Sequence, residues 1–402
     1  MRKVLRFFPC LAVILTAHAV EPGTQELAVN PDDIASELIA RDQLAGQWSF
    51  PLFEEWTIAR KKIQAETGLS WTASYYAVGL GSFLGNGVPV GASGDFTFQG
   101  IWKPGYRWVD NPTELRFRIR YRHEIGPTSA AELGPEIGAL WGVVDGFSNS
   151  GLETPDFFLR HQFKDPNIEL RYGQLSIDSQ FGGNQLASSK QFFLNQGFAS
   201  DPAVAFPRFG AGFTALLSLD NGFSAGFGAS TVQGTQTGDQ VSLDFGSGAF
   251  FTALQLAYDY QDHDDLARRF QWLVWQSDAV EDAGRPSGYG FSLTYEQAFS
   301  EAGEKGFARF SWSDGGAASL DYLLTAGYAR PCGEKDLAGI AAGIGRGSDS
   351  EKEIQAVFEA FYRWHARDNL QITPDVQLLV GEGFTSGPGI RVVAGVRFGI
   401  TF

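Results

Sequence analysis

Four arginines stand at alternate positions, Arg116, Arg118, Arg120 and Arg122, separated by Phe117, Ile119 and Tyr121. In an extended chain that spacing puts every guanidinium on one face. A dry interior would not tolerate the row, because buried unpaired charges lose more solvation than their neighbours return. A wet cavity would, and there the row is a fixed bank of hydrogen-bond donors. Glu169, Glu359 and Asp375 lie on the polar faces of other extended segments and are candidate partners; Arg171, Arg363 and Arg391 hold comparable positions. A second chemistry comes from Ser176 to Gly210, which carries Gln180, Asn184, Gln185, Lys190, Gln191, Phe192, Phe193 and Asn195. Amides and an ammonium can bond hydroxyls while aromatic rings stack on C–H faces, which suits polyhydroxylated solutes. Two plainer readings stand beside these. The arginine row also fits a salt-bridge ladder bracing a wall, and the Ser176–Gly210 segment also fits an external cap.

Signals for covalent chemistry are weak. Gly222-Phe223-Ser224-Ala225-Gly226 matches the G-x-S-x-G string but opens an alternating segment where a strand-turn-helix elbow is needed. His263 among Asp262, Asp264 and Asp265 reads as a solvated turn, and His123 and His161 lack ligand spacing. Phosphate-loop, C-x-x-C and dinucleotide motifs do not occur in the chain, so no cofactor is expected.

The elements that must position these residues are extended. From Leu69 onward apolar and polar residues alternate, in Leu69 to Tyr75, Leu115 to Arg122, Tyr289 to Glu296 and Arg391 to Phe402. Such period-2 segments begin near Leu69, Gly94, Thr113, Pro155, Ile168, Ala211, Phe223, Ala249, Leu266, Ser287, Gly306, Ser319, Asp336, Ile354, Leu370 and Ile390. Tight-turn sequences follow even-numbered segments: Asp165-Pro166-Asn167, Asp220-Asn221-Gly222, Asp262 to Asp265 and Ala366 to Asn369. Long links follow the third, fifth and seventh, at Ile125 to Thr154, Ser176 to Gly210 and Gln233 to Gly248. Short turns at one end and loops at the other are the signature of a transmembrane barrel. The expected fold is therefore an all-β transmembrane antiparallel β-barrel of about 16 strands over 69–402. The apolar face is rich in rings, among them Trp71, Tyr75, Trp102, Trp272, Trp312, Tyr362 and Trp364, as interface girdles are. The opposite face is expected to meet water.

Residues 1–19 read as an export signal: Arg2, Lys3 and Arg6, a short apolar core from Cys10 to Leu15, then Ala17-His18-Ala19. Loss of three basic residues takes the formal charge from −15 to about −18, which argues against nucleic-acid partners. Cys332 is then the single thiol, so no internal disulfide can form. Residues 20–68 read as a short amphipathic helical segment, with Asn30 and Pro31 starting one helix and Leu52, Trp56 and Ile63 sharing a face of another that stops at Gly68. The composition, 14% aromatic and only 19% charged, excludes disorder.

Leu44-Ala45-Gly46-Gln47-Trp48, Arg171 to Ile177, Phe361-Tyr362-Arg363-Trp364 and above all Leu370-Gln371-Ile372-Thr373-Pro374-Asp375-Val376-Gln377 resemble the OprB-type carbohydrate-selective porins. Ser49-Phe50-Pro51-Leu52-Phe53 departs from the family's Gly-Gly-Leu-Arg-like stretch. The resemblance implies a sixteen-stranded barrel in the Gram-negative outer membrane, surrounded by lipid and lipopolysaccharide, that admits mono- and small oligosaccharides passively. The pore-lining candidates are Arg116, Arg118, Arg120, Arg122, Glu169, Arg171, Gln185, Lys190, Phe192, Asn195, Glu359, Arg363, Asp375 and Arg391. C-terminal Phe402 is the candidate signal for the barrel assembly machinery. A general or anion-favouring pore, an outer-membrane enzyme and an envelope scaffold are the alternatives.

Overall fold

Alternating segments expose one row of side chains on each face, and in lipid every backbone N–H and C=O must find a partner within the sheet. Closure meets that demand, and the computed structural model is a closed barrel of sixteen antiparallel strands. It describes residue 34 and residues 51–84, 87–104, 112–234, 238–246, 248–261, 266–333, 335–348, 353–367, 369–381 and 389–402. The export signal, Leu44 to Trp48 and the Asp262–Asp265 turn with His263 lie outside the described residues. The strands are β1 (Leu69–Phe83), β2 (Val90–Trp102), β3 (Thr113–Glu124), β4 (Gly151–Lys164), β5 (Asn167–Leu175), β6 (Gly210–Ser218), β7 (Phe223–Thr231) and β8 (Phe250–Gln261). They continue as β9 (Ala267–Ser277), β10 (Gly288–Ala298), β11 (Lys305–Asp314), β12 (Leu320–Pro331), β13 (Leu337–Gly347), β14 (Ile354–Arg367), β15 (Leu370–Gly381) and β16 (Ile390–Thr401). Helix α1 (Pro51–Thr67) precedes them.

Each strand pairs with its sequence neighbours, and β16 closes on β1 from Ser74 opposite Thr401 to Phe83 opposite Val392. Turns form where the sequence supplies their chemistry. At β6–β7, Gly222 N–H donates to the Leu219 carbonyl at 3.2 Å and Asn221 Oδ1 accepts from Phe223 N–H at 3.2 Å. Gly222 holds φ 84°, and a β-carbon there would collide with the Asp259 carbonyl oxygen.

The outer face is aromatic and open: Tyr121, Trp272, Tyr362 and Trp364 are between 40% and 48% exposed. The inner face departs from the expectation of uniform contact with water. Leu80, Leu320, Leu323, Leu337, Val357, Phe361, Leu379 and Val393 point inward and are buried. They are covered by the β3–β4 and β5–β6 loops, which fold into the barrel and need an apolar seat. Leu133, Trp141, Val143 and Phe147 of the first loop and Phe193, Leu194 and Phe198 of the second complete this cluster. A second cluster joins Leu175, Ile177 and Phe181 to Phe251, Leu273 and Trp275 across the bore wall. Gly228 of β7 leaves the room Phe181 needs, since a β-carbon would sit 2.6 Å from its ring.

Candidate functional site

The arginine row lies on the lumen face of β3, where register decides its partners. Arg118 stands opposite Gln99, Arg120 opposite Thr97 and Glu153, and Arg122 opposite Asp95. Arg116 Nε donates to Glu114 at 2.7 Å, Arg118 Nε to Gln99 at 2.8 Å, Arg120 Nε to Glu153 at 2.9 Å and Arg122 Nε to Asp95 at 2.8 Å. Asp156 faces Arg118 at 3.5 Å. These acids replace the expected set. Glu169 serves Arg160 and Arg171 instead, at 2.7 and 2.6 Å. Glu359 and Asp375, on β14 and β15, are buried and hold other groups. The reason is a register shift between Arg118 and Arg120, which brings to the lumen both Asp156, at the expected start of the fourth segment, and Glu153, from the stretch that reads as loop in sequence.

The β5–β6 loop crosses the lumen and is tied to strands around most of the ring. Lys190 Nζ donates to Thr97 at 2.8 Å and lies 3.2 Å from Asp95 on β2. Arg397 donates to the Phe192 carbonyl at 2.9 Å and Arg363 to the Gln191 carbonyl at 2.8 Å. Glu359 accepts from the backbone N–H of Leu194 at 2.5 Å and of Asn195 at 3.0 Å. Gln185 N–H donates to Glu296 at 2.7 Å, and Gly182 N–H to Gln255 at 2.9 Å. Arg309 donates to the Gly197 and Ser200 carbonyls. The β3–β4 loop then lies against it, with Trp141 Nε1 donating to Asn195 Oδ1 at 2.8 Å and Gln377 Nε2 to the Val143 carbonyl at 2.8 Å.

Burial sorts the sequence candidates. Gln185, Phe192, Asn195, Glu359, Asp375 and Arg391 are at most 6% exposed. Their expected place on the channel surface is corrected: the first five seat the loop inside the wall, and Arg391 donates to the Leu84 carbonyl at the barrel's loop end at 3.2 Å. Asn195 caps a helical turn by accepting from Gly197 N–H at 3.0 Å. Phe192 lies under Lys305, 4.6 Å from the ring centroid. Arg120 and Arg122 by contrast keep 16% side-chain exposure, Glu169 14%, and Arg171 and Lys190 12%, whereas Arg309 is closed at 0%. Arg363 is intermediate, and Arg116 and Arg118 are nearly covered. The open charged side chains of this set thus lie on β3–β5 and the loop edge facing them.

Besides the acids Asp95, Glu114, Glu153 and Asp156, three more residues of this strip escaped the sequence reading. Arg160 and Arg208 join it through Glu169 and Glu153, and Asp178 opens to the lumen from the loop. Arg160 was legible as a polar-face arginine of β4; the other two sit on irregular backbone with no period to reveal them. Protein surrounds Asp178 although its carboxylate is open to the lumen. That enclosure first, and then the Asp145 and Asp156 carboxylates, raise it to about 6 against the pull of Arg120 and Arg118.

The strip is a dense array of donors and acceptors in which acids bridge neighbouring bases: Glu114 holds Arg116 and Arg160, Glu153 holds Arg120 and Arg208, Asp95 holds Arg122 and Lys190, and Glu169 holds Arg160 and Arg171. Such a surface can bond hydroxyl groups along its length, and its bases outnumber its acids. Comparisons with known proteins bear on the family and the fold. The family model described as "Carbohydrate-selective porin, OprB family" matches residues 106–402. No curated protein is matched. Among solved structures, the high-pH structure of Pseudomonas putida OprB is similar with TM-score 0.72 at 14% identity, covering 87% of this chain and 97% of that one. Its low-pH structure gives TM-score 0.57 at 13% identity over 87% and 97% of the two chains. An anion-selective porin from Comamonas acidovorans gives 0.52 at 13% identity over 83% and 100%. At such identities these likenesses concern the fold.

Proposed function

The chain belongs to the OprB family of carbohydrate-selective porins, outer-membrane channels for sugars, and we propose that its solutes pass along the charged strip of β3–β5. A porin fold in that family makes the protein a channel. The observation that carries the reading is the pairing of Arg116, Arg118, Arg120 and Arg122 with Glu114, Asp156, Glu153 and Asp95. Neutral monosaccharides and small oligosaccharides meet fixed donors and acceptors at each step, so no single site binds tightly enough to arrest them.

Arg120, Arg122, Arg171, Glu169 and Lys190 are the surface in contact with solute; Gln185, Phe192, Asn195 and Glu359 hold that surface in place. On this reading residues 1–19 are removed on export, 20–68 are a prefix whose described helix is Pro51–Thr67, and 69–402 carry the barrel. Phe402, whose N–H donates to the Ala73 carbonyl at 2.7 Å, is the residue offered to the assembly machinery before β16 meets β1.

The test is liposome swelling and planar-bilayer recording. Neutral monosaccharides should enter faster than ions or peptides of similar size. Arg120→Ala with Arg122→Ala should weaken sugar block by tenfold or more, since hydrogen bonds from charged donors contribute about 1.5–3 kcal/mol each. Equal rates for all small solutes would reduce the protein to a general pore. Unchanged block with a loss of heat resistance would make the row a wall brace only.

A further inference from the structure

Helix α1 lies outside the segment matched by the family model. At its C-terminus, Gly68 takes φ 75° and donates its N–H to the Gln64 carbonyl at 2.9 Å, which turns the chain sharply into β1. Two bonds pin the junction to the turn end of the barrel wall. Trp102 Nε1 donates to the Thr67 carbonyl at 3.1 Å, and Lys103 N–H to the Gly68 carbonyl at 3.1 Å. Trp102 and Trp71 belong to the outer face, so the helix is fastened to the side of the barrel that meets lipid. There Trp56 packs edge-on to Trp71, with centroids 5.0 Å apart and planes at 86°. From Trp71 the ring contacts continue through Phe98 at 5.3 Å to Phe117 at 5.6 Å. Trp56 therefore extends an aromatic girdle at the level where membrane-protein rings settle.

The wall does not cover this side of the helix. Trp56 remains 44% exposed and Ile63 38%. At 100° per residue these two share a face with Ala59; Glu66 lies about 20° beyond Ala59 at the edge of that face, and Lys62 falls further to the flank, pairing with Glu66 at 3.9 Å with 71% and 56% exposure. Ile58, 67% exposed, is a single apolar residue on the far side.

We propose that α1 lies in the headgroup layer of the inner leaflet of the outer membrane, its Trp56–Ile63 face covered by phospholipid. The girdle it continues is already the lipid contact of the barrel, and the geometry leaves no gap between them. Lys61 and Lys62 reach the anionic headgroups while the apolar face sits at the acyl boundary. The helix acts as a collar that fixes the height of the barrel in the bilayer. The inference uses the orientation of the barrel and not its solute, so the sugar reading survives its failure.

The experiment uses the full mature chain with Cys332→Ser, refolded into vesicles of phosphatidylethanolamine and phosphatidylglycerol. Single variants Ala59→Cys, Lys62→Cys, Ile63→Cys and Glu66→Cys carry nitroxide labels. Collision with oxygen, which concentrates in lipid, is compared with collision with a water-soluble nickel chelate. Positions 59 and 63 should favour oxygen several-fold over position 62, with position 66 at the edge of the face between them. Equal access of the chelate to all four would place the helix in water and overturn the proposal. Protection of 59 and 63 from both reagents would mean a protein covers them, and would overturn it equally. Channel conductance and heat-resistant gel mobility confirm that each labelled protein is folded.

Discussion

Glu359→Ala should loosen the constriction without opening the barrel. The Glu359 carboxylate, 2% exposed, accepts the N–H of Leu194 at 2.5 Å and of Asn195 at 3.0 Å. Both donors lie in the dry half of the bore, where water cannot replace the lost acceptor. Leaving a buried donor unsatisfied costs about 1–3 kcal/mol, so the two together cost roughly 2–6 kcal/mol. The tie of Arg397 to Phe192, of Arg363 to Gln191 and of Asn195 Nδ2 to Gln377 at 3.1 Å all remain. The loop should then not leave the lumen but populate a lifted state. A shift of about 3–4 kcal/mol raises that population by a factor on the order of several hundred. Planar-bilayer recording should show brief openings to higher conductance, with weaker sugar block during them. Glu359→Gln keeps one acceptor oxygen and should fall between the two. Steady conductance at the parent level in Glu359→Ala, with heat resistance unchanged, would refute the claim that these two bonds hold the narrowing in place.

Acidification gives a signed test. Asp178, raised to about 6, is charged at neutral pH and loses its charge roughly one unit below that value. Its loss leaves Arg118 and Arg120 less opposed, so anion preference should rise as pH falls through 6. Reversal potentials in a KCl gradient read it, and Asp178→Asn should flatten the step. Gly222→Ala forces a side chain into a left-handed backbone and against the Asp259 carbonyl, so unfolding should be easier by about 1–3 kcal/mol, with conductance of the folded fraction unchanged. Equal unfolding midpoints would contradict the turn geometry. Phe193→Ala removes a fully buried ring that meets Phe198 and Phe361 edge-on at 5.6 and 5.1 Å. A cost of about 3–5 kcal/mol should appear as noisier and higher conductance, because the loop bears it before the sheet does. A quiet channel with a less stable barrel would place Phe193 in the wall's stability instead.

The strands were legible where their period is clean. β16, with Val392 to Phe402 apolar at every second position, could be bounded from sequence to within a residue. β2 starts at Val90, ahead of the expected Gly94, because Gly91, Ala92 and Ser93 are too small to display an alternation. β4 starts at Gly151, ahead of Pro155, because the register shift opposite Arg118–Arg120 breaks the period there. That same shift hid Glu153 and Asp156 as partners of the arginine row. The amide-rich β5–β6 loop was recognisable as a candidate constriction from its residue types. The infolding of the β3–β4 loop was not, since Leu133, Trp141, Val143 and Phe147 bury themselves from irregular backbone that no periodicity marks. Cross-strand partners depend on register, and register is a property of hairpins, which single residue types do not report.

The dry half of the bore explains why the selective half can be so heavily charged. A barrel of sixteen strands encloses a wide bore, and a loop held across it by hydrogen bonds alone would gain only about 0.5–1.5 kcal/mol from each. Phe193, Leu194, Phe198, Leu133 and Trp141 add buried apolar surface at about 1.5–3 kcal/mol per large side chain. That burial fixes the loop against one wall and leaves a strip of lumen on the other. Positive charge on the strip is then bounded from both sides, by strand acids in register and by the loop edge carrying Lys190 and Asp178. Because each guanidinium is held by a carboxylate, none needs to swing to meet a solute, and a hydroxyl passing the strip finds its donors already oriented. On the proposed reading, the apolar plug on one wall holds the charged strip of the other in a fixed position beside the path of the solute.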